Sequence, residues 1–512
     1  MSIQGPCALL SVSDKTGLLP FARTIDEAGW TLVSTGGTRQ HLEDGGLDVV
    51  AVSELTGFPE MFDGRVKTLH PLIHGGVLAR RNHEGDRAEM AEHDVPDIRL
   101  VAVNLYPFEE TVKGGASLED ASEMIDIGGP TLLRAAAKNH ATQTVVCDPD
   151  DYERVGEAIV EKDVTEGMRK SLAKKAFRHT GNYDAAIVDY LDGEVSDEEA
   201  LPSEWPLGLR RQSQLRYGEN PHQPGALYKE PLGDDLGGFE QLHGKELSYN
   251  NLVDLDAAVQ IAAEFDDPTC AIIKHTNPAG CATGENLLDA YNDALKCDPM
   301  SAFGGIAAFT RPVDADVAEA MHDRFWEVIC APSYSDEAME YLTQRKNVRI
   351  LRMPRELPDV DEALRATLFG VLVQGTDPRI EFDRDSMDVP TDREPTEEEW
   401  RALEFNWRVC KHVKSNAIVF GRERRTVGVG AGQMSRVDAV EFAIQKAREE
   451  TDGCVVASDA FFPFRDGPDT AHEAGATAII QPGGSRNDSE VIEACDEHDM
   501  AMVMTGNRHF RH

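Results

Sequence analysis

"CALLSVSDKTGLLPFARTIDEAGWTLVSTGGT", residues 7–38, holds two short apolar runs on either side of one helical pattern. CALLSV and TLVS are strand-length and bounded by Ser, Asp, Gly and Thr, the residues that start turns. The intervening GLLPFARTIDEAG carries apolar residues at helical spacing and stops at a glycine. Strand, helix, strand is the unit of a parallel sheet. The alternation continues through RQHLEDG, RLVAVNLYPF and TQTVVCDP, and a run of helices over residues 151–191 closes this part.

Residues 192–208, DGEVSDEEALPSEWPLG, are acidic, carry two prolines and lack apolar periodicity, which predicts an interdomain linker. Beyond it TCAIIKH, GGIAAFT, VRILRM, GVLVQG, AIVFG, GCVVASD, ATAIIQPGG and MAMVMTG are candidate strands, many followed by helical stretches. The chain is therefore predicted to be α/β throughout, with domains at 1–198 and 199–512, the second built from two similar subdomains.

Length and charge bound the function. With 512 residues and 41% hydrophobic content, more than one core is expected. The 91 acidic against 51 basic side chains give a net charge of −40, a field that repels nucleic acid and anionic membranes. No single acidic block dominates, so the surface reads as solvated and salt-adapted. No apolar run nears the roughly 20 residues of a membrane span, and the start MSIQGPCALL has no signal-peptide pattern. Nine cysteines without a C-x-x-C pair fit a reducing cytoplasm. Walker A, G-x-G-x-x-G and H-E-x-x-H sequences are absent, so ATP hydrolysis, NAD chemistry and zinc proteolysis are unsupported.

Lysine is scarce, which draws attention to lysines in turns. SVSDKTG (11–17) and STGGTR (34–39) each follow a strand and open a helix, exposing N–H groups to an anion, with Lys15 as an added charge. One such turn alone favours N-capping, and two on consecutive β-α units bring a phosphate site level with it. GRVKTLHP (64–71) sets Arg65, Lys67, Thr68 and His70 in a turn, NLYPF offers Asn104 and Tyr106 at a strand end, and Asp126 precedes Gly-Gly-Pro, with Lys138 twelve residues on. In the second part, LRYGENPHQPG gathers Arg216, Tyr217, Asn220 and His222, and Asn250 and Asn251 stand at a helix start where capping is the plain role. AIIKHTNPAGC (271–281) ends a buried strand on Lys274 and His275, with Pro278 and Gly280 expected to tighten the turn behind them. An adjacent ammonium and partial burial would both favour neutral imidazole, the form a general base needs.

Taken in order, SVSDKTG, GRVKTLHP, NLYPF, IDIGG, LLRAAAKNH, LRYGENPHQ, KHTNPAG, GAGQMSR, FFPFRDG and NRHFRH closely resemble one family nearly end to end. It is the bifunctional purine-biosynthesis family, aminoimidazole-carboxamide ribonucleotide (AICAR) formyltransferase joined to inosine monophosphate (IMP) cyclohydrolase. The resemblance implies a methylglyoxal-synthase-like first domain that closes the purine ring. It implies a second part of two cytidine-deaminase-like subdomains that transfers formyl from 10-formyltetrahydrofolate, without a redox cofactor and within a homodimer. Carried over by position, it implies His275 as base with Lys274 beside it, and Asn416 on the reacting formyl group. Arg216, Tyr217, His222 and Asn251 would bind nucleotide, and Phe461, Asp466 and Arg508 would line the folate and nucleotide pockets. A structural potassium ion is implied near Ser415 and Asp459. For ring closure it implies Lys67, Tyr106, Asp126 and Lys138 as the catalytic cluster, and Ser11, Ser13, Lys15, Ser34, Gly37, Thr38, Arg65, Thr68 and Asn104 as substrate contacts.

Overall fold

The computed structural model describes residues 5–62, 64–194, 201–358 and 360–512. Its described residues form two compact units, Met1–Arg210 with Tyr228–Gly233, and Arg211–Leu227 with Asp234–His512. The boundary expected between 198 and 199 lies outside the described residues. The stretch expected to be a linker from residue 192 begins inside a helix, Glu166–Glu194. Among the described residues no helix is long and apolar enough to cross a membrane.

The first unit is built on strands β1 (Cys7–Val12), β2 (Thr31–Ser34), β3 (Val49–Ala51), β4 (Ile98–Asn104) and β5 (Thr144–Val146). They pair in parallel in the order β3-β2-β1-β4-β5. Cys7 to Leu10 are fully buried in succession, the continuous apolar run of a strand covered on both faces. Helix α1 (Leu18–Glu27) covers one face with Leu18, Phe21, Ala22 and Ile25, a spacing that keeps all four on one side. Helices α2 (Gly36–Asp44) and α3 (Gly128–Lys138) follow β2 and precede β5. The strand order reverses between β1 and β4, which opens a crevice past their carboxyl ends.

The second unit carries a sheet of eleven strands: β6 (Glu240–His243), β7 (Thr269–Lys274), β8 (Asn277–Thr283), β9 (Gly305–Phe309), β10 (Trp326–Ala331), β11 (Arg349–Arg352), β12 (Ile418–Arg422), β13 (Arg425–Gly430), β14 (Val455–Ser458), β15 (Ala478–Gln481) and β16 (Ala501–Met504). Their order, β16-β15-β14-β12-β13-β8-β7-β9-β10-β11-β6, contains one motif twice. A helix, α4 (Tyr249–Ala262) or α6 (Glu397–Lys411), leads into a hairpin, β7-β8 or β12-β13. A third strand then pairs antiparallel with the first, and two more follow in parallel. Helix α5 (Leu287–Cys297) follows the first hairpin as α7 (Arg436–Lys446) follows the second. The two copies meet where β8 pairs with β13.

Local sequence explains the pieces. Thr396 and Glu399 cap α6 reciprocally, and three glutamates in its first turn suit the positive end of its dipole. Gly280 lets β8 approach α5, where a Cβ would stand 1.9 Å from the Ala294 carbonyl oxygen. GVLVQG does form a strand, but in a separate hairpin of Glu362–Thr367 with Gly370–Gly375 rather than in the main sheet.

Candidate active sites

In the first unit the crevice between β1 and β4 is bridged by Asn104. Its Oδ1 accepts the N–H groups of Ser13 (2.6 Å) and Asp14 (3.0 Å), and its Nδ2 donates to the Asp14 carbonyl at 2.8 Å. Asn104 therefore shapes the turn, and those two N–H groups are already taken. Ser34 is fully buried and donates to the Leu10 carbonyl at 2.7 Å. Thr38 Oγ1 accepts from Val12 N–H and donates to the Val12 carbonyl. Ser34 thus ties β2 to β1, and Thr38 ties the start of α2 to the end of β1. Ser11 and Ser13 are half-buried beside them, and Lys15 Nζ donates to the Ser13 carbonyl at 3.3 Å.

What remains open to an anion is the start of α2. Thr35 gives it no side-chain cap, Gly36 has φ 45°, and Gly37 is exposed. A Cβ on Gly36 would lie 3.3 Å from Lys67 Nζ, so the ammonium stands over this helix end. Uncapped N–H groups, the helix dipole and a lysine together suit a phosphate. Thr68 is buried against the first turn of α3, and Arg65 pairs with Glu123 at 3.6 Å on the surface.

Asp126 sits at the start of α3. Gly129 N–H donates to its Oδ1 at 2.8 Å, and the N–H groups of Tyr106 and Gly128 also reach the carboxylate. Burial pushes its carboxyl above the usual range, against the pull of these donors and of Lys67. Tyr106 is 41% exposed on the strand-end turn. Lys67, Thr68, Tyr106 and Asp126 are thus brought together. Lys138 is not. It is the exposed last residue of α3, and at 1.5 Å per residue the ten steps from Gly128 carry it roughly 15 Å along the axis.

In the second unit Lys274 pairs with Asn277 across β7-β8, which leaves His275 and Thr276 as a two-residue turn. Both have positive φ, 54° and 62°, the geometry of a type I′ hairpin turn. Pro278 and Gly280 lie within β8 rather than in the turn expected from the sequence, because a two-residue hairpin closes before them. His275 is exposed, so the expected partial burial is absent. Lys274 commits its ammonium to the Gly304 carbonyl at 2.7 Å.

Asn277 Oδ1 accepts the Lys414 N–H at 3.1 Å, which ties the turn to the segment before β12. That segment carries Asn416, whose Oδ1 accepts from Arg436 Nη2 at 2.8 Å. Arg436 is 6% exposed and also donates to Ser458 Oγ and to the Ala417 carbonyl. It forms an ion pair with the fully buried Asp459, which takes the Ser415 hydroxyl as well. The structure brings together Ser415 and Asp459, the pair named for a potassium ion, and Arg436 matches the aspartate's charge. Arg436 went unassigned in the sequence, although it stands in the quoted GAGQMSR.

The remaining positions are mixed. Arg216 lies over the Tyr217 ring at 5.4 Å, and Arg216 and His222 are exposed in a loop closed on itself by Gln223. Asn250 Nδ2 reaches the Glu219 carbonyl at 3.3 Å. Asn251 takes the plain role, a capping box with Ser248 that occupies its Oδ1. The C-terminal tail approaches the Asn416 segment through Arg511 O to Ser415 N–H and His509 N–H to Asp459 O. It presents an exposed Arg508 stacked 4.2 Å from Phe510. Phe461 is 37% exposed, and Asp466 begins a helix with its Oδ1 on Gly467 N–H.

Comparison with known proteins places the chain in a family. The model of the AICARFT/IMPCHase bienzyme matches residues 136–446, and that of the MGS-like domain matches 17–131. A bifunctional purine biosynthesis protein PurH of Halalkalibacterium halodurans is 49% identical over 510 residues, 99% of each chain. Its counterpart in Bacillus subtilis is 49% identical over the same shares. That of Persephonella marina is 48% identical over 521 residues, covering 99% of this chain and 100% of its own.

Proposed function

This chain belongs to the AICARFT/IMPCHase bienzyme family, and from that premise we propose how its two units divide the chemistry. The protein catalyses the last two steps of purine biosynthesis: formyl transfer from 10-formyltetrahydrofolate to the 5-amino group of AICAR, then dehydrative closure of formyl-AICAR to IMP.

Formyl transfer belongs to the second unit. The AICAR amine is conjugated to its ring and a poor nucleophile, so it must lose a proton as it attacks the formyl carbon. His275 takes that proton. The tetrahedral intermediate then collapses, the bond from carbon to folate nitrogen breaks, and that nitrogen takes up a proton, with Lys274 as the nearest amine in the sequence. Because Arg436 fixes Asn416 Oδ1 as an acceptor, the other end of the amide, Nδ2, is free to donate to the oxyanion. Arg216, Tyr217 and His222 bind nucleotide, and Phe461, Asp466 and Arg508 line the substrate pockets. The carrying observation is the Asn277–Lys414 bond, which fixes the His275 turn two residues from Asn416.

Ring closure belongs to the first unit. The carboxamide nitrogen attacks the formyl carbon and water departs. The start of α2 holds phosphate, Asp126 carries the proton, and Tyr106 and Lys67 stabilise the adduct.

Replacing His275 by alanine tests the assignment. Formyl transfer should fall by about 10²-fold or more, with AICAR affinity nearly unchanged and cyclisation of supplied formyl-AICAR intact. An equal fall in affinity and turnover would remove His275 as the base.

The protein acts as a cytoplasmic homodimer with a salt-adapted surface. In support, all nine cysteines are buried and unpaired, and the hairpin of residues 362–375 carries Leu368 and Phe369 almost fully exposed. Sedimentation equilibrium measures the mass, and a monomer at all concentrations would refute the dimer.

A further inference from the structure

A histidine and a threonine side by side in left-handed backbone need an external hold, since the Cβ of each disfavours that region relative to its ordinary conformation. The turn has three holds. Asp254, on α4, accepts the Thr276 N–H at 2.7 Å. The Thr276 hydroxyl and Asn277 Nδ2 both donate to the His275 carbonyl, at 2.7 and 3.1 Å. The Asn277–Lys414 bond ties the turn at its end, and of these three holds only Asp254 reaches the peptide between His275 and Thr276 from another element.

We propose that Asp254 is a positioning residue for formyl transfer: its Oδ1 locks the His275–Thr276 turn and so aims the imidazole. The proposal rests on His275 being the base. Asp254 contributes as an acceptor at one backbone N–H. Helix α4 transmits a fixed position because it is packed into the core through Leu255, Ala258 and Ile261. Loss of the acceptor lets Thr276 relax out of the left-handed region, and His275 swings with it.

The test compares Asp254→Ala with Asp254→Asn in the full chain, reading kcat and KM for formyl transfer, AICAR binding and cyclisation. Displacing a reacting group by about 1 Å can cost about 10²-fold. Asp254→Ala is therefore expected to lower kcat by about 10- to 100-fold, with KM for AICAR and cyclisation nearly unchanged. Asp254→Asn keeps an amide oxygen at the same place and is expected to retain most of kcat. Adding Thr276→Gly to Asp254→Ala removes the left-handed penalty and should recover part of the loss, even where the single variant is poorly folded. If Asp254→Asn is as damaged as Asp254→Ala, or Asp254→Ala transfers formyl normally, the proposal is overturned. If His275→Ala itself transfers formyl normally, the base assignment has failed instead, and the two failures are told apart by which variant is active.

Discussion

The two halves of the second unit share one connectivity and place their chemistry at opposite ends of it. In the first half the hairpin turn, His275–Thr276, is left-handed at both residues and carries the histidine proposed as base. In the second half the matching turn, Glu423–Arg424, also has two residues, and neither has positive φ. There the proposed oxyanion donor, Asn416, stands at the entry to the hairpin. The reason is the seam. Strands β8 and β13 run antiparallel, with Ala282 against Arg425, so the turn of one copy lies at the same sheet end as the entry of the other. A duplicated motif joined this way offers one turn and one strand entry per site, and strain is kept only where it presents a side chain.

That contrast breaks first at Asn416. If the strand entry supplies the oxyanion donor, Asn416→Ala should lower kcat for formyl transfer by about 10²–10³-fold. Cyclisation in the other unit should not move. Steady-state assays of both reactions on one preparation check it, and a change confined to KM would mean that Asn416 merely binds.

Much of this was legible in the sequence, and the gaps have physical causes. The parallel sheet of the first unit showed itself because fully buried strands are unbroken apolar runs such as CALL and LVAV. Strand β8 escaped because NPAGCAT contains proline and glycine, residues that usually mark turns. It is a strand because it lies beside a helix so close that only glycine fits at 280. His275 and Asn416 are legible as residues, but the tie between their segments, Asn277 to Lys414, is not, since it depends on a seam between strands more than a hundred residues apart. Ser34, Thr38 and Asn104 also tie backbone, and Asn251 caps a helix with Ser248, ties that residue spacing alone does not reveal.

A second contrast lies at the two ends of α3, where the family resemblance implies that Asp126 and Lys138 belong to one catalytic cluster. The structure separates them and sets Lys67 near Asp126 instead. Lys67→Met should lower cyclisation by about 10²-fold through lost charge stabilisation, and Lys138→Met should leave it within about threefold. Because burial raises the Asp126 carboxyl, it gains its proton at higher pH than an exposed aspartate does. The acid limb of the cyclisation profile should accordingly lie above that of an ordinary carboxylate and vanish in Asp126→Asn. A Lys138 variant as inactive as the Lys67 variant would show that the single-chain geometry is not the catalytic one.

The smallest effect sharpens the opening comparison most. Glu423, in the turn of the second half, pairs with Arg401 at 2.6 Å on a largely solvated surface. Such a pair contributes about 0.2–1 kcal/mol, and the turn around it needs no left-handed residue. Glu423→Ala should therefore cost no more than that in chemical denaturation and leave both reactions at the wild-type rate. The equivalent position in the first half is His275, where the same substitution is expected to abolish most of formyl transfer. If Glu423→Ala impaired transfer appreciably, both turns would be serving the site, and the division of labour between the two copies would have to be redrawn.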